Sequence, residues 1–326
     1  MNVLKYIQKH LVFFILGGMV SGFLIGLFVN TQPLRVSVNW LSFFLVYPMM
    51  VTLNFKSLLA RGNVKLQLVT QLVNFGYLPL LAYVFGVVFF PHPEQMSYRL
   101  GILLIALLPT SGMTVSWTVM AKGNVQEAIR MIVIGLMLGG LLTPLMINLY
   151  LGTTIALSFT QILAQIVMIV FIPMLLGFLT QWVLKKRYGE ATFHQQIKAN
   201  FPPFSTLSVI LLIALVMSLR APMLARNPGV LIELLVPITL GYGVMLISLH
   251  LLGKALFPYA DHIAFMNGTM IRSLSVALAI ALTVFEDAGV EVSLVIALAY
   301  IVQVQMAASY VKWSQKRFKE AASSLG

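Results

Sequence analysis

Arg272 is the residue whose position most needs a chemical reason. It stands in the run AFMNGTMIRSLSVALAIAL, Ala264–Leu282, where Asn267, Gly268, Thr269, Arg272, Ser273 and Ser275 cluster before the chain turns wholly apolar. Counted from Asp261 at about 1.5 Å per residue, Arg272 lies roughly 16 Å along a helix, near the middle of a bilayer core about 30 Å thick. A charge there costs about 2.5 to 3.5 kcal/mol on insertion scales. No intramembrane carboxylate offers a counter-charge, so an anionic ligand would suit the site; pairing with a backbone carbonyl is the structural alternative. A second polar run, PTSGMTVSWTVMAKGN, covers Pro109–Asn124. Pro109 removes a backbone donor and disfavours helix in the residue before it, and Gly112 adds backbone freedom. With Thr110, Ser111 and Thr114, this composition suits a helix unwound inside the membrane, where freed carbonyls need hydroxyls, water or a ligand. The alternative is a Pro-kinked helix whose hydroxyls bond their own backbone. Asn74 is a further intramembrane amide, able either to join helices or to reach a site. His262, beside Asp261, reads as a helix cap or as a proton relay.

The elements that must position these residues follow from composition. The chain has 326 residues, 60% hydrophobic and 9% charged, with no cysteine; soluble proteins carry about a quarter charged residues. The pattern is that of an all-α polytopic membrane protein. Apolar runs fall at Leu11–Val29, Val38–Leu53, Leu66–Phe90, Leu100–Met120 and Met131–Leu151, then at Ile155–Leu184, Phe204–Leu219, Val230–Leu252, Ile263–Phe285 and Val292–Val311. These are ten expected transmembrane helices, each near the roughly 20 residues a bilayer requires. They are too long for barrel strands, which need only about ten alternating residues.

The net charge of +12 would suggest nucleic acid in a soluble domain, but its distribution gives another reason. With the N-terminus inside, the inner side carries Lys5, Lys9, Lys56, Arg61, Lys65, Lys122, Arg130, Lys185, Lys186, Arg187, Lys198, Lys254, Lys312, Lys316, Arg317 and Lys319. The outer side carries only Arg35, Arg99, Arg220 and Arg226, and Arg272 alone stays within a span. This positive-inside bias orients both termini to the cytoplasm and explains the surplus without nucleic acid. Five helices per half force opposite orientations, so residues 1–152 and 153–326 are expected to be inverted repeats. Spans 4 and 9 then correspond, and both carry the polar runs.

Spans 4 and 9, the fourth closing with AKGN (Ala121–Asn124) and the ninth running into LSVALAIAL, resemble the bile acid:sodium symporter family. The stretch FPHPEQMSYRLGILLIALLP, Phe90–Pro109, with Trp117 and Ala121-Lys122-Gly123, is similar to its arsenite-efflux, or arsenical-resistance, branch. The resemblance implies a core domain of spans 3 to 5 and 8 to 10, a panel domain of spans 1, 2, 6 and 7, and a substrate site where broken spans 4 and 9 cross. It implies secondary active transport by alternating access at the plasma membrane. The family's sodium-binding positions would fall at Met266 and Met270, where sodium-coupled members have a Glu and a Gln, and at Thr114, Val115, Ala128 and Ile132. Only Thr114 keeps a side-chain oxygen, and hard cations want oxygen donors, so no metal site is expected. The arsenite branch's cysteine would fall at Thr110 and its acidic residue at Ser273. A thiolate route for arsenite is closed to a chain without cysteine.

The expected function is therefore a secondary transporter, symporter or antiporter, for a small organic anion or an oxyanion, with arsenite or metalloid efflux as the alternative. The expected substrate-binding residues are Asn74, Thr110, Ser111, Gly112, Thr114, Asn267, Gly268, Thr269, Arg272 and Ser273, with helix breaks at Pro109, Gly112 and Gly268. The coupling ion is left between sodium and proton, and the bilayer is the other partner. No HExxH or GxSxG motif and no intramembrane His/carboxylate cluster appears, so neither an enzyme nor a cofactor is expected. A channel would need pore-lining rings, which an inverted repeat does not suggest.

Overall fold

The computed structural model describes residues 6–7, 11–53, 62–151 and 159–323. Lys5, Lys9, Lys56, Arg61 and the expected boundary between residues 152 and 153 lie outside the described residues. Among the described residues the chain is helical, and the one β-type pairing is an isolated antiparallel bridge between Pro109 and Arg272. The order runs α1 (Leu11–Phe28), α2 (Ser37–Val51), then α3 (Val64–Leu72), which passes through a π-turn at Val73–Tyr77 into α4 (Leu78–Phe89). Next come α5 (Met96–Leu107), α6 (Met113–Met120) and α7 (Val125–Leu151). A second π-turn at Val167–Phe171 joins α8 (Phe159–Ile166) to α9 (Ile172–Tyr188). The rest is α10 (Pro202–Arg226), α11 (Gly229–Leu256), α12 (Tyr259–Met270), α13 (Leu274–Val284) and α14 (Glu286–Ser323).

Among the described residues, seven helical rods are long and apolar enough to cross a membrane: Gln32–Val51, Val64–Phe89, Val125–Tyr150, Val167–Tyr188, Glu190–Arg226, Gly229–Leu256 and Ala288–Lys316. Phe13–Phe28 and Leu274–Val284 are apolar but shorter. Spans 4 and 9 fall outside the seven for a physical reason. Each is interrupted, as α5/α6 and as α12/α13, so neither presents a continuous rod. Phe28, Leu149, Ile232 and Leu251 stand largely exposed, an apolar outer surface that fits lipid rather than water.

The interior is placed around the two interrupted spans. Every residue from His262 to Leu274 is buried, so α12 and the start of α13 form the centre of the molecule. The helices sort by contact into two groups. In one, α1 and α2 pack on α10, and α2 also on α9; in the other, α12 packs on α3, α6, α7, α11 and α14, and α5 on α4, α7 and α14. Contacts of α13 with α2 and of α10 with α14 join the groups. Gly18, Gly22 and Gly26 recur every fourth residue on α1, and the last two lie directly against the backbone of Ala214 and Ser218 on α10. Small residues at this spacing let membrane helices approach to backbone contact.

Candidate functional site

The first break is built by one missing donor. Pro109 has no N–H to return to the Ile105 carbonyl four residues back, and Thr110 takes a left-handed φ of 56°, which turns the chain away from Ala106. α5 therefore ends at Leu107 with the carbonyls of Ile105 and Ala106 open. The Arg272 guanidinium takes both: Nε donates to Ile105 O at 3.2 Å, and one terminal nitrogen donates to Ala106 O. Gly135 and Gly139 on α7 leave room for this turn, because a Cβ on either would press on Pro109 or Thr110.

The second break mirrors this substitution of partners. In a continuous helix the Arg272 N–H would bond Gly268 O. Instead it donates to Gln303 Oε1 at 2.7 Å, and Gly268 O accepts from Asn74 Nδ2 at 3.2 Å. Ser273 N, which would bond Thr269 O, reaches across to Leu108 O at 2.8 Å. The vacated Thr269 O accepts from the other terminal nitrogen of Arg272 at 3.1 Å, and the same nitrogen donates to Asn74 Oδ1 at 2.6 Å. The two breaks are thus joined by a backbone hydrogen bond and by one side chain.

Arg272 is 1% exposed, and the four hydrogen-bond partners of its guanidinium are uncharged oxygens. Its hydrogen bonds are met by neutral groups, while its charge meets the negative ends of two helices: α5 and α12 both point their C-termini at it. Helix C-termini favour cations in this way. The N-termini of α6 and α13 start on the far side of the two breaks.

The other expected residues fall as follows. Asn74 sits in the π-turn at Val73–Tyr77, a distortion frequent at functional positions, and both its amide atoms serve the crossing. Thr110 Oγ1 donates to Pro109 O at 2.7 Å and lies 3.4 Å from Met131 O. Thr114 Oγ1 accepts from Ser111 N at 3.2 Å and lies 3.4 Å from Asn267 O; Asn267 Nδ2 in turn donates to Thr118 Oγ1 at 3.2 Å. Gly112 begins α6 and faces open space. Thr269 bonds the carbonyl of Phe265 on its own helix. Ser273 Oγ and Asn267 Oδ1 are buried and have no hydrogen-bond partner, and a buried oxygen in that condition is costly. Gly268 is not itself at a break: it lies inside α12, against the Met131 thioether. The chain leaves the helix three residues later, where the partners of its backbone change. Met266, Met270, Ala128 and Ile132 are buried apolar side chains, and Val115 is half-buried.

Two residues went unread in the sequence. Gln303 on α14 clamps both backbone groups of Arg272, its Nε2 donating to Arg272 O at 3.2 Å, and Tyr242 on α11 steadies Gln303 by donating to Oε1 at 2.9 Å. The readable signal was an amide in the middle of the apolar tenth span. Arg130, counted with the inner loops, is 3% exposed within α7 and ion-paired with Glu127 three residues before it. Glu127 also accepts from Asn63 N at 3.0 Å and Gln67 Nε2 at 2.6 Å. Asp261 accepts from Asn63 Nδ2 at 2.8 Å and Asn124 Nδ2 at 2.7 Å. This network ties the start of α12 to α3 and α7.

Apolar helices with exposed outer faces, around two interrupted helices whose breaks meet at buried polar groups, define an integral membrane protein with a polar crossing at its centre. The model of the Sodium Bile acid symporter family matches residues 40–227, more than half of the chain, and the chain belongs to that family. It is 21% identical over 255 residues to the arsenical-resistance protein Acr3 of Alkaliphilus metalliredigens (strain QYMF), covering 72% of this chain and 71% of that protein. It is 25% identical over 275 residues to the uncharacterized protein YbaS of Bacillus subtilis (strain 168), covering 82% and 85%. Over 160 residues it is 27% identical to sodium/bile acid cotransporter 7 of Xenopus tropicalis, covering 47% and 43%.

Proposed function

We propose that this protein is a secondary active carrier for a small organic anion or oxyanion, working by alternating access, and that the fixed cation of Arg272 stands where a bound sodium ion acts in relatives. The observation that carries the reading is the Arg272 guanidinium, buried at the crossing and held by neutral oxygens. A helix end bears roughly half a unit charge. Arg272 offsets the negative ends of α5 and α12, about one unit together, which leaves the positive N-termini of α6 and α13. Two such ends beside Ser273, an unpaired buried hydroxyl, favour an anion. Sodium has little to bind: carbonyls of the kind it would take already accept from the guanidinium, and Met266, Met270, Ala128 and Ile132 add no hard donor.

Several facts support the finer architecture of this proposal. The seven long rods, with α1 and the two interrupted pairs α5/α6 and α12/α13, would supply ten crossings, five in each of the proposed halves 1–152 and 153–326. The contact groups are in keeping with a proposed panel of spans 1, 2, 6 and 7 and a core of spans 3 to 5 and 8 to 10. The positive-inside bias supports a plasma-membrane orientation with both termini cytoplasmic. A second reading, arsenite or metalloid efflux, draws on the arsenical-resistance relatives. Against it stand Thr110 at the position of that branch's cysteine and the absence of any thiol in the chain.

The test is uptake into proteoliposomes, with radiolabelled taurocholate, small keto and hydroxy acids, and arsenite supplied separately. The wild type is expected to take up one or more of the organic anions. Arg272→Ala should lose at least about tenfold of that uptake, or about 1.4 kcal/mol. Arg272→Lys, which keeps the charge but not the fork, should lose less. Undiminished uptake by a folded Arg272→Ala protein would sink the proposal, and uptake of arsenite alone would favour the second reading.

A further inference from the structure

Away from the crossing, a cavity of about 300 Å³ lies between α11, α12 and α14, lined by His250, Lys254, Tyr259, His262, Tyr310 and Trp313 among others. Three polar atoms meet at its wall. His262 Nε2 is 3.2 Å from His250 Nδ1 and 2.9 Å from the Tyr310 hydroxyl, which is 3.3 Å from His250 Nδ1. His262 is 6% exposed and His250 half-buried, with the Trp313 ring centroid 4.9 Å from the His250 ring.

Proton counting limits what this triangle can hold. With both imidazoles neutral the triangle can be satisfied by tautomer choice, His250 Nδ1–H donating to the Tyr310 oxygen and the Tyr310 hydroxyl donating to His262 Nε2. One added proton makes one ring an imidazolium, whose N–H can donate to the facing nitrogen of the other ring. A second would place two imidazolium charges about 3 Å apart, which like-charge repulsion opposes. The pair therefore takes at most one added proton.

The same three helices hold Arg272. α11 carries Tyr242 and His250, eight residues apart; α14 carries Gln303 and Tyr310, seven apart; α12 carries His262 and, seven residues on, Thr269. At about 1.5 Å per residue each pair spans only some 10 to 12 Å. The triangle and the clamp on Arg272 are the two ends of one three-helix wedge, so a change of spacing at one end is felt at the other. The facing groups are few. Lys254 on α11 and Tyr259 on α12 line the cavity. Asp261 on α12 turns to Asn63 of the segment before α3 and Asn124 of the segment before α7, while Glu127 and Arg130 of α7 are paired with each other.

We propose that His250, His262 and Tyr310 form a proton-binding site whose occupancy is linked to the arrangement of the helix crossing, so that the proton is the coupling ion. The proposal rests on the carrier reading, and its test keeps the two apart. The chain has no cysteine, so Gly112→Cys, facing open space at the start of α6, is a lone reporter of access to the crossing. Its rate of alkylation by a water-soluble maleimide is measured between about pH 8 and about pH 5, the histidine range, and divided by the rate at a lone Asn30→Cys to remove thiol ionisation. The ratio is expected to change on the order of tenfold, the linkage that one pKa unit of difference between two arrangements confers. His250→Gln, His262→Gln and Tyr310→Phe should each flatten it. Histidine NMR of the cysteine-free protein checks the site itself: the two imidazoles should titrate together, with one proton between them. A ratio that keeps its pH dependence in folded His250→Gln/His262→Gln, or imidazoles that titrate independently, would overturn the proposal. A pH-dependent ratio in a protein that takes up none of the anions would leave the proton site standing and overturn the carrier reading instead.

Discussion

A single buried guanidinium can look like a ligand site or like a strut, and Arg272 has features of both. Its guanidinium hydrogen-bonds protein oxygens, so its contribution to anion binding would be its field, which acts over distance in a low-dielectric interior, rather than a direct fork. This changes what substitutions should do. Gln303→Leu leaves the Arg272 N–H and C=O without partners at a buried break, a cost of about 1 to 3 kcal/mol, and should lower the thermal unfolding midpoint. Gln303→Glu keeps an acceptor for the N–H but places a carboxylate beside the guanidinium. It should fold while losing anion uptake, which a purely structural role for Arg272 would not produce. The sequence made Arg272, Pro109 and Asn74 visible because a charge, a proline and an amide are anomalies in an apolar run. Gln303 and Tyr242 were not read, because their role depends on a backbone group two helices away. Arg130 was misread as a loop residue because its partner Glu127, three residues earlier, was not weighed as a charge that could carry it inward.

Hydropathy located most of the helices, and the differences have local causes. Hydropathy alone gives spans 4 and 9 as single segments because the residues on both sides of each break are apolar; their polar runs and Pro109 point to an interruption, and its exact place is set by which hydrogen bonds are replaced. Gly268 looked like a hinge by type, whereas in the structure it makes room for Met131 and the break follows at Ile271–Ser273. The π-turn that aims Asn74 has no sequence signature beyond Pro79 shortly after it. The glycine ladder of α1 was legible but went unused, although it governs how closely α1 meets α10. Gly22→Leu would drive a side chain into the Ala214 backbone, which cannot yield as a flexible side chain would. It should destabilise by at least about 1 to 3 kcal/mol, seen as a lower melting midpoint in detergent with the helical circular dichroism of the folded fraction retained. Gly17→Leu, one residue before the ladder and facing open space, should leave the midpoint within about 0.5 kcal/mol of the wild type.

At the scale of the whole molecule, the chain is a member of the sodium bile acid symporter family in which buried methionines, an alanine and an isoleucine occupy most of the positions that the resemblance assigns to sodium. Arg272 brings a cation to the crossing by covalent attachment instead. Under the proposed carrier reading a tethered cation cannot be left behind, so occupancy of the crossing would not depend on external sodium, and another ion would drive the cycle. This is why the sodium question bears most directly on the account. The decisive measurement is the melting midpoint and initial anion uptake of the same purified protein in sodium chloride and in choline chloride at equal ionic strength. Ligands that bind the folded state stabilise it by an amount that grows with the logarithm of one plus the ratio of free ligand to Kd, which raises its midpoint. The account predicts equal midpoints and equal uptake in the two salts. A saturable rise of the midpoint with sodium, accompanied by uptake that fails in choline, would contradict it.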